Sequence, residues 1–272
     1  MPKIKLVAMD IDDTLLDDKK NISLQNKTAI QSALDDGVKI VLSSGRTFNG
    51  MIEYLDELGI EGNDQFVIID GGGVVQTVSG HIIYQQTLSN AAYRKIDKYV
   101  VDNGLHYNAV DVEGNTYTSN RDFIDKYTVL QAFENNKGLI IKSPDELPND
   151  FEIVKAILNE DGSKLDAITP EVNDLFGKNH YVVRTDVGFL EIMPQHVDKG
   201  NALLHLADHL GIDIKNTLAI GDGANDIPML KQAGVSVVME NAAESIKEIA
   251  DFVTKNNNES GVATAFEKYV LN

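Results

Sequence analysis

Two carboxylates one residue apart, Asp10 and Asp12, follow directly on a short apolar run that ends at Met9. Along an extended chain alternate side chains share a side, so Asp10 and Asp12 would face together while Ile11 turns away. Such a pair suits either a hard cation or a nucleophile partnered by an acid–base group. A second cluster, Ser43-Ser44-Gly45-Arg46, offers a hydroxyl and an unhindered glycine amide, a small cradle for an anion. In Asp198-Lys199-Gly200-Asn201, a lysine at a helix start puts a point charge beside the positive end of the helix dipole. The fourth cluster, Gly221-Asp222-Gly223-Ala224-Asn225-Asp226, combines glycines that admit a ligand with acids whose oxygens suit Mg²⁺. It lacks the spacing and final glutamate of an EF-hand loop. Taken singly, each cluster reads as easily as a turn or a solvated surface; together they hold the parts that phosphoryl transfer needs.

The elements that must position these clusters alternate between strand and helix. A strand over residues 5–9 leads into the first cluster, and a helix over 23–36 follows, with Ser23 as its N-cap and Gly37 at its stop. A buried strand over 38–42 precedes Ser43, a helix follows over 48–58, and a third strand over 66–69 ends in Asp70-Gly71-Gly72-Gly73. Strands separated by helices of this length imply parallel βαβ units. Between about residue 80 and residue 190 the strands come in pairs joined by short turns, as around Glu113-Gly114-Asn115, with helices over 91–102 and 163–176. The alternation then resumes: a helix over 201–210, a strand over 217–220, a helix from about Asp226, a strand over 235–239 and a helix over 243–249. The pattern predicts an α/β core with a parallel sheet, interrupted by an inserted α+β domain. All four clusters then fall at strand ends or helix starts, where open α/β sheets place their ligands.

Composition narrows the function. The 272 residues are 43% apolar, enough for one large or two small cores. There is no cysteine, which removes disulfides, thiolate zinc sites and cysteine nucleophiles. The formal net charge of −18 makes nucleic acid and anionic lipid poor partners, and a phosphorylated substrate would need local positive charge at its site. No apolar run is long enough for a membrane span, and residues 1–9 lack the pattern of a signal peptide, so a cytoplasmic location is expected. His205 and His209 lie one helical turn apart but have no apparent third ligand for zinc.

The order Asp-x-Asp, Ser, Lys, Gly-Asp-x-x-Asn-Asp resembles the haloacid dehalogenase (HAD) superfamily. The insertion between the serine and lysine clusters looks like the α+β cap, of the C2 type, of its Cof-type phosphatases. The likeness runs the full length and is nearest the YidA-like sugar phosphatases, including Thr118-Ser119-Asn120-Arg121-Asp122, Gly261-Val262-Ala263 and the tail from Glu267 to Asn272. It implies a Rossmann-like core over residues 1–82 and 190–272 with a cap over 83–189. It also implies Mg²⁺-dependent hydrolysis of a small phosphate monoester through an aspartyl-phosphate on Asp10, with Asp12 as acid and then base. Asp10, Asp12, Asp222 and Asp226 would serve the metal, Asp12 through its carbonyl, while Ile11, Ser44, Gly45, Lys199 and Asn225 would hold the phosphate. Arg46, Asn120, Arg121, Lys155 and Arg184 are the polar candidates for choosing the substrate, a small phosphorylated metabolite.

The chain departs from the family pattern at three places, the first being Asp13 in place of the commoner glycine, a frequent variant. Gly71-Gly72-Gly73 replaces the usual Asn-Gly-Ala, which would remove a substrate contact and loosen the approach to the cap. Glu240 stands where Met-Gly-Asn-Ala has glycine, a surface change. A phosphomutase of the phosphomannomutase type, or a non-catalytic sensor of a phosphorylated metabolite, would use the same pocket. Neither the substrate nor the oligomeric state is legible.

Overall fold

A computed structural model describes residues 3–271 and divides them into two compact units. Met1, Pro2 and Asn272, named above in the N-terminal and tail readings, lie outside the described residues.

The first unit holds the chain up to Gly45, Met51–Gln85, and the chain from Asp198 onward. Its sheet of eight strands runs in the order Phe252–Val253, Val235–Val238, Thr217–Gly221, Leu6–Met9, Lys39–Ser43, Phe66–Ile69, Val74–Thr77, Ile82–Gln85. The first six are parallel, and the last two close the edge as an antiparallel hairpin. The central strands read as unbroken apolar runs because helices cover both faces. On one face Ala202, Leu203, Leu206, Met229 and Leu230 pack onto Leu6, Ala8, Val41 and Ala219. Helix Leu24–Asp35 packs against helix Gly261–Tyr269 and against strand Lys39–Ser43. Ser23 caps the first of these through Asn26 N–H, and Gly37 follows it at φ +79°, as the sequence predicts.

The second unit comprises Arg46–Gly50 and Gln86–Val197. Its six-stranded sheet runs His180–Asp186, Phe189–Pro194, Lys155–Asn159, Tyr107–Val110, Thr116–Thr118, Leu139–Ile141. All pairings are antiparallel except the last, where helix Lys126–Glu134 makes the crossover that a parallel neighbour requires. One face is apolar: Tyr107, Ala109, Ala156, Leu158, Leu190 and Ile192 pack against Tyr93, Ile96, Val100, Leu165 and Phe176 of helices Asn90–Asp102 and Gly162–Phe176. By alternation, Asn108, Lys155, Ile157, Asn159 and Glu191 occupy the opposite face.

Two boundaries differ from the expected ones. Residues 83–85 belong to the large sheet because Ile82–Gln85 pairs with Val74–Thr77. Residues 190–197 belong to the second unit because Phe189–Pro194 is bonded on both sides, to Lys155–Asn159 and to His180–Asp186. The helix expected over 48–58 is a 3₁₀ turn, Phe48–Gly50, followed by the helix Ile52–Leu58.

Candidate active site

Register explains why distant clusters converge. Met9 is paired with Leu42 on one side and with Ile220 on the other, so Asp10, Ser43-Ser44 and Gly221-Asp222 leave the sheet at the same edge. Asp10 N–H extends the ladder to Ile220 O at 3.0 Å, and Ser44 N–H does the same to Ile68 O at 2.9 Å. The nucleophile candidate is therefore held by sheet hydrogen bonds rather than by a loose loop.

Lys199, the first residue of helix Lys199–His209, reaches this edge with its side chain almost wholly buried. Its Nζ donates to Asp10 Oδ1 at 2.5 Å and to Asp226 Oδ1 at 2.6 Å. Asp226 Oδ2 accepts from the amides of Asp222 and Gly223 at 3.0 and 2.9 Å, so one carboxylate fixes both the lysine and the turn carrying Asp222. A Cβ on Gly221 would lie 2.6 Å from the Asp226 carboxylate, which is why a glycine stands there. Thr14 Oγ1 donates to Asp222 Oδ1 at 2.7 Å. Sequence reading passed over Thr14, whose only signal was its place inside the first cluster.

Oxygens of Asp10, Asp222 and Asp226 lie within 4.8 Å of one another. Among the described residues the ammonium bonded within this cluster is Lys199, so three carboxylates face one positive charge. The imbalance shows in the acidities. Burial pushes the Asp10 carboxyl up, Lys199 works against that, and Asp226 and Asp222 add to it. Asp222 is pushed up to about 6, mainly by burial, with Thr14 opposing and Asp226 reinforcing. Burial would lower Lys199, but Asp10 and Asp226 more than offset it and hold it protonated. All-oxygen donors with surplus negative charge are the chemistry of a hard divalent cation, so the residues present fit Mg²⁺.

Asp12 does not join this cluster. Its carboxylate is half-exposed and accepts from Lys20 Nζ at 3.1 Å. Asp12 has extended geometry (φ −71°, ψ 131°), whereas Asp13 turns the chain at φ 58°. Ile11, Ser44 and Gly45 lie at the same sheet edge, and Asn225 sits half-buried in the 3₁₀ turn Ala224–Asp226.

Two residues of the triple glycine make close contacts within the first unit. Gly72, at φ +103°, lies so close to the Asp198 carbonyl that a methyl group there would collide with it. Gly71 N–H donates to Ser44 O at 3.0 Å. Gly72 thus lets the end of strand Phe66–Ile69 approach the start of the Lys199 helix, a contact that only glycine permits at that position. His205 and His209 are packing residues: His205 stacks on Tyr84 at 3.9 Å, and His209 meets Phe66 edge-on.

The five substrate candidates all fall in the second unit, and most are engaged there. Asn120 accepts from Tyr107 N–H and donates to Leu105 O, bridging backbone segments. Arg121 pairs with Glu146. Arg184, opposite Leu190 on the helix-covered face, is tied to Asp166, Asp186 O and Val187 O. Arg46 Nη1 donates to Gly50 O at 3.5 Å. Lys155 is 1% exposed and pairs with Glu191 at 3.2 Å, among the buried amides of Asn108 and Asn159.

Comparison with known proteins agrees with this architecture. The chain belongs to the haloacid dehalogenase-like hydrolase family, which matches residues 7–266. A protein of Streptococcus pyogenes serotype M6, provisionally named a phosphatase, is 39% identical over 99% of each chain. A Bacillus subtilis protein named 5-amino-6-(5-phospho-D-ribitylamino)uracil phosphatase is 32% identical, covering 98% of this chain and 96% of its own. A crystal structure of a haloacid dehalogenase-like hydrolase from Bacteroides thetaiotaomicron superposes with a TM-score of 0.86 at 31% identity, over 98% of this chain and 99% of that one. The fold is the Rossmann-like core of that family with an inserted α+β domain. No helix among the described residues is long and apolar enough to cross a membrane.

Proposed function

We propose that this chain is a phosphatase that hydrolyses small phosphate monoesters, sugar phosphates foremost, with Asp10 as nucleophile. The observation that carries the reading is the Asp10–Lys199–Asp226 arrangement at 2.5 and 2.6 Å beside Asp222. Names of the relatives point the same way, and intact Asp10, Asp12, Lys199 and Asp222 speak for turnover over sensing.

Lys199 occupies Asp10 Oδ1, which leaves Oδ2 to attack phosphorus in line. As the Asp10–phosphorus bond forms and the ester phosphorus–oxygen bond breaks, Asp12 gives its proton to the departing alkoxide. Asp12, now a carboxylate, takes a proton from water as that water attacks phosphorus, freeing Asp10 and inorganic phosphate. Lys199 neutralises part of the dianion's charge, and the Ile11 and Gly45 amides, Ser44 and Asn225 hold its remaining oxygens. Mg²⁺, held by Asp10, Asp222 and the Asp12 carbonyl with Asp226 behind them, would add charge neutralisation and orientation when bound. A cytoplasmic location and a small phosphorylated metabolite as partner go with this reading.

The test is phosphate release from sugar phosphates, nucleotides, pyridoxal phosphate and p-nitrophenyl phosphate, with and without Mg²⁺, beside Asp10→Asn. The expected result is Mg²⁺-dependent release that falls on the order of 10⁴-fold or more in the variant. A folded, Mg²⁺-binding protein inert on every ester would overturn the reading.

A further inference from the structure

We infer that Asn241 and Asn257 are positioning residues for the loop that carries Asp12, and that they fix the angle at which it transfers protons. The inference rests on the reading of Asp12 as acid and base.

The loop from Asp10 to Leu16 needs such a hold. Asp13 stands at φ 58°, a region that residues other than glycine, asparagine and aspartate seldom enter. The backbone bond that closes the loop, Leu16 N–H to Ile11 O at 3.0 Å, spans five residues, and the loop presents the carbonyls of Asp13, Leu15 and Leu16 to side chains. Those carbonyls are met from elsewhere in the chain. Asn241 Nδ2 donates to Asp13 O at 2.8 Å. Asn257 Nδ2 donates to Leu16 O at 3.1 Å, and Asn26 Nδ2 to Leu15 O at 3.4 Å. The first two anchors are joined, because Asn257 N–H donates to Asn241 Oδ1 at 3.1 Å.

The residue type matters. A carboxamide donates and accepts at once, so Asn241 can bind the Asp13 carbonyl while receiving the Asn257 amide; an aspartate could do only the second. Asn257 is 4% exposed, which ties the clamp to the protein body. The Asp13 carbonyl is one peptide unit beyond Asp12, so releasing it lets the Asp12 peptide and carboxylate turn. Neither asparagine is assigned to the substrate: each acts through the loop.

Leaving-group dependence separates positioning from plain stabilisation. p-Nitrophenolate departs without a proton, whereas an alkoxide must receive one from Asp12, and kcat/KM reports the steps up to that departure. The experiment measures kcat/KM for p-nitrophenyl phosphate and for a sugar phosphate hydrolysed by the unmodified protein, with Mg²⁺, for that protein, Asp12→Asn, Asn241→Asp and Asn241→Ala. General acid catalysis contributes about 10²–10⁴-fold, so a displaced acid should cost about tenfold on the sugar phosphate and about twofold or less on p-nitrophenyl phosphate. Both Asn241 variants should move the ratio of the two values in the direction that Asp12→Asn moves it further. An unmoved ratio in Asp12→Asn would reject the reading of Asp12 itself. If Asp12→Asn moves the ratio but the Asn241 variants lower both substrates equally, or neither, the positioning role is overturned.

Discussion

Among the described residues each unit buries one lysine beside carboxylate, and the two lysines are placed under different terms. Among the described residues the carboxylate paired with Lys155 in the second unit is Glu191, at 3.2 Å, with Thr185 Oγ1 donating to the same Oε1. That pair balances its charge. Lys199 in the first unit meets Asp10 and Asp226 with Asp222 alongside, and negative charge is left over. Burying charge is costly unless it is paired, so a balanced pair can serve the fold while an unbalanced cluster would be relieved by a cation. The contrast separates the two lysines where burial, 1% for each, does not.

Removing each lysine would break or sharpen that contrast. Lys199→Met should lower phosphate release by about 10²–10³-fold, the scale for losing one donor to developing charge. Without metal, both Lys199→Met and Lys155→Met should destabilise by about 3–5 kcal/mol, since each strands buried carboxylates. Mg²⁺ should recover much of the loss at Lys199 and none of it at Lys155, read by urea unfolding. At the second site the double change Lys155→Met with Glu191→Leu should recover most of the loss without metal. Equal rescue of both single variants by Mg²⁺ would erase the distinction.

A smaller effect follows from acidity. Asp222 is raised from the ordinary aspartate value of 3.8 to about 6 in the folded, metal-free protein. Between those values the folded state holds more protons than the unfolded one, so this group's contribution to stability falls as pH rises through that window. Asp10, also raised, acts in the same direction. A bound cation removes the penalty that ionisation creates, so Mg²⁺ should raise Tm by a few degrees at pH 7.5 and by clearly less at pH 5. A Tm gain independent of pH would place the ion elsewhere.

Much of this was legible in the sequence, for a local reason. Parallel buried strands are short apolar runs, and the turn after each is where a ligand can be met; Asp10, Ser44, Lys199 and Asp222 stand out by type and place, and the structure brings Asp10, Lys199 and Asp222 together. What stayed hidden depends on pairing. The edge hairpin Val74–Thr77 and Ile82–Gln85 lay where the domain boundary was drawn, and only its ladder assigns it to the large sheet. Register places Arg184 opposite Leu190, on the face covered by helices, which its residue type does not announce. Asn257 sat in a three-asparagine run that composition marks as unremarkable, and its partner carbonyl at Leu16 is 241 residues away. Within the triple glycine, Gly72 is the position that Asn-Gly-Ala also fills with glycine, and only the fold shows its approach to the Asp198 carbonyl.

The central claim is that Asp10 carries the phosphoryl group, and covalent trapping tests it most directly. In Asp12→Asn the departure of p-nitrophenolate needs no proton, but hydrolysis of the acyl phosphate loses its base, so the intermediate should accumulate. Rapid acid quench of this variant with ³²P-labelled p-nitrophenyl phosphate and Mg²⁺, followed by peptide mapping, should find the label on the peptide containing Asp10 and release it with hydroxylamine. Turnover with no covalent label, or label on another residue, would contradict the account.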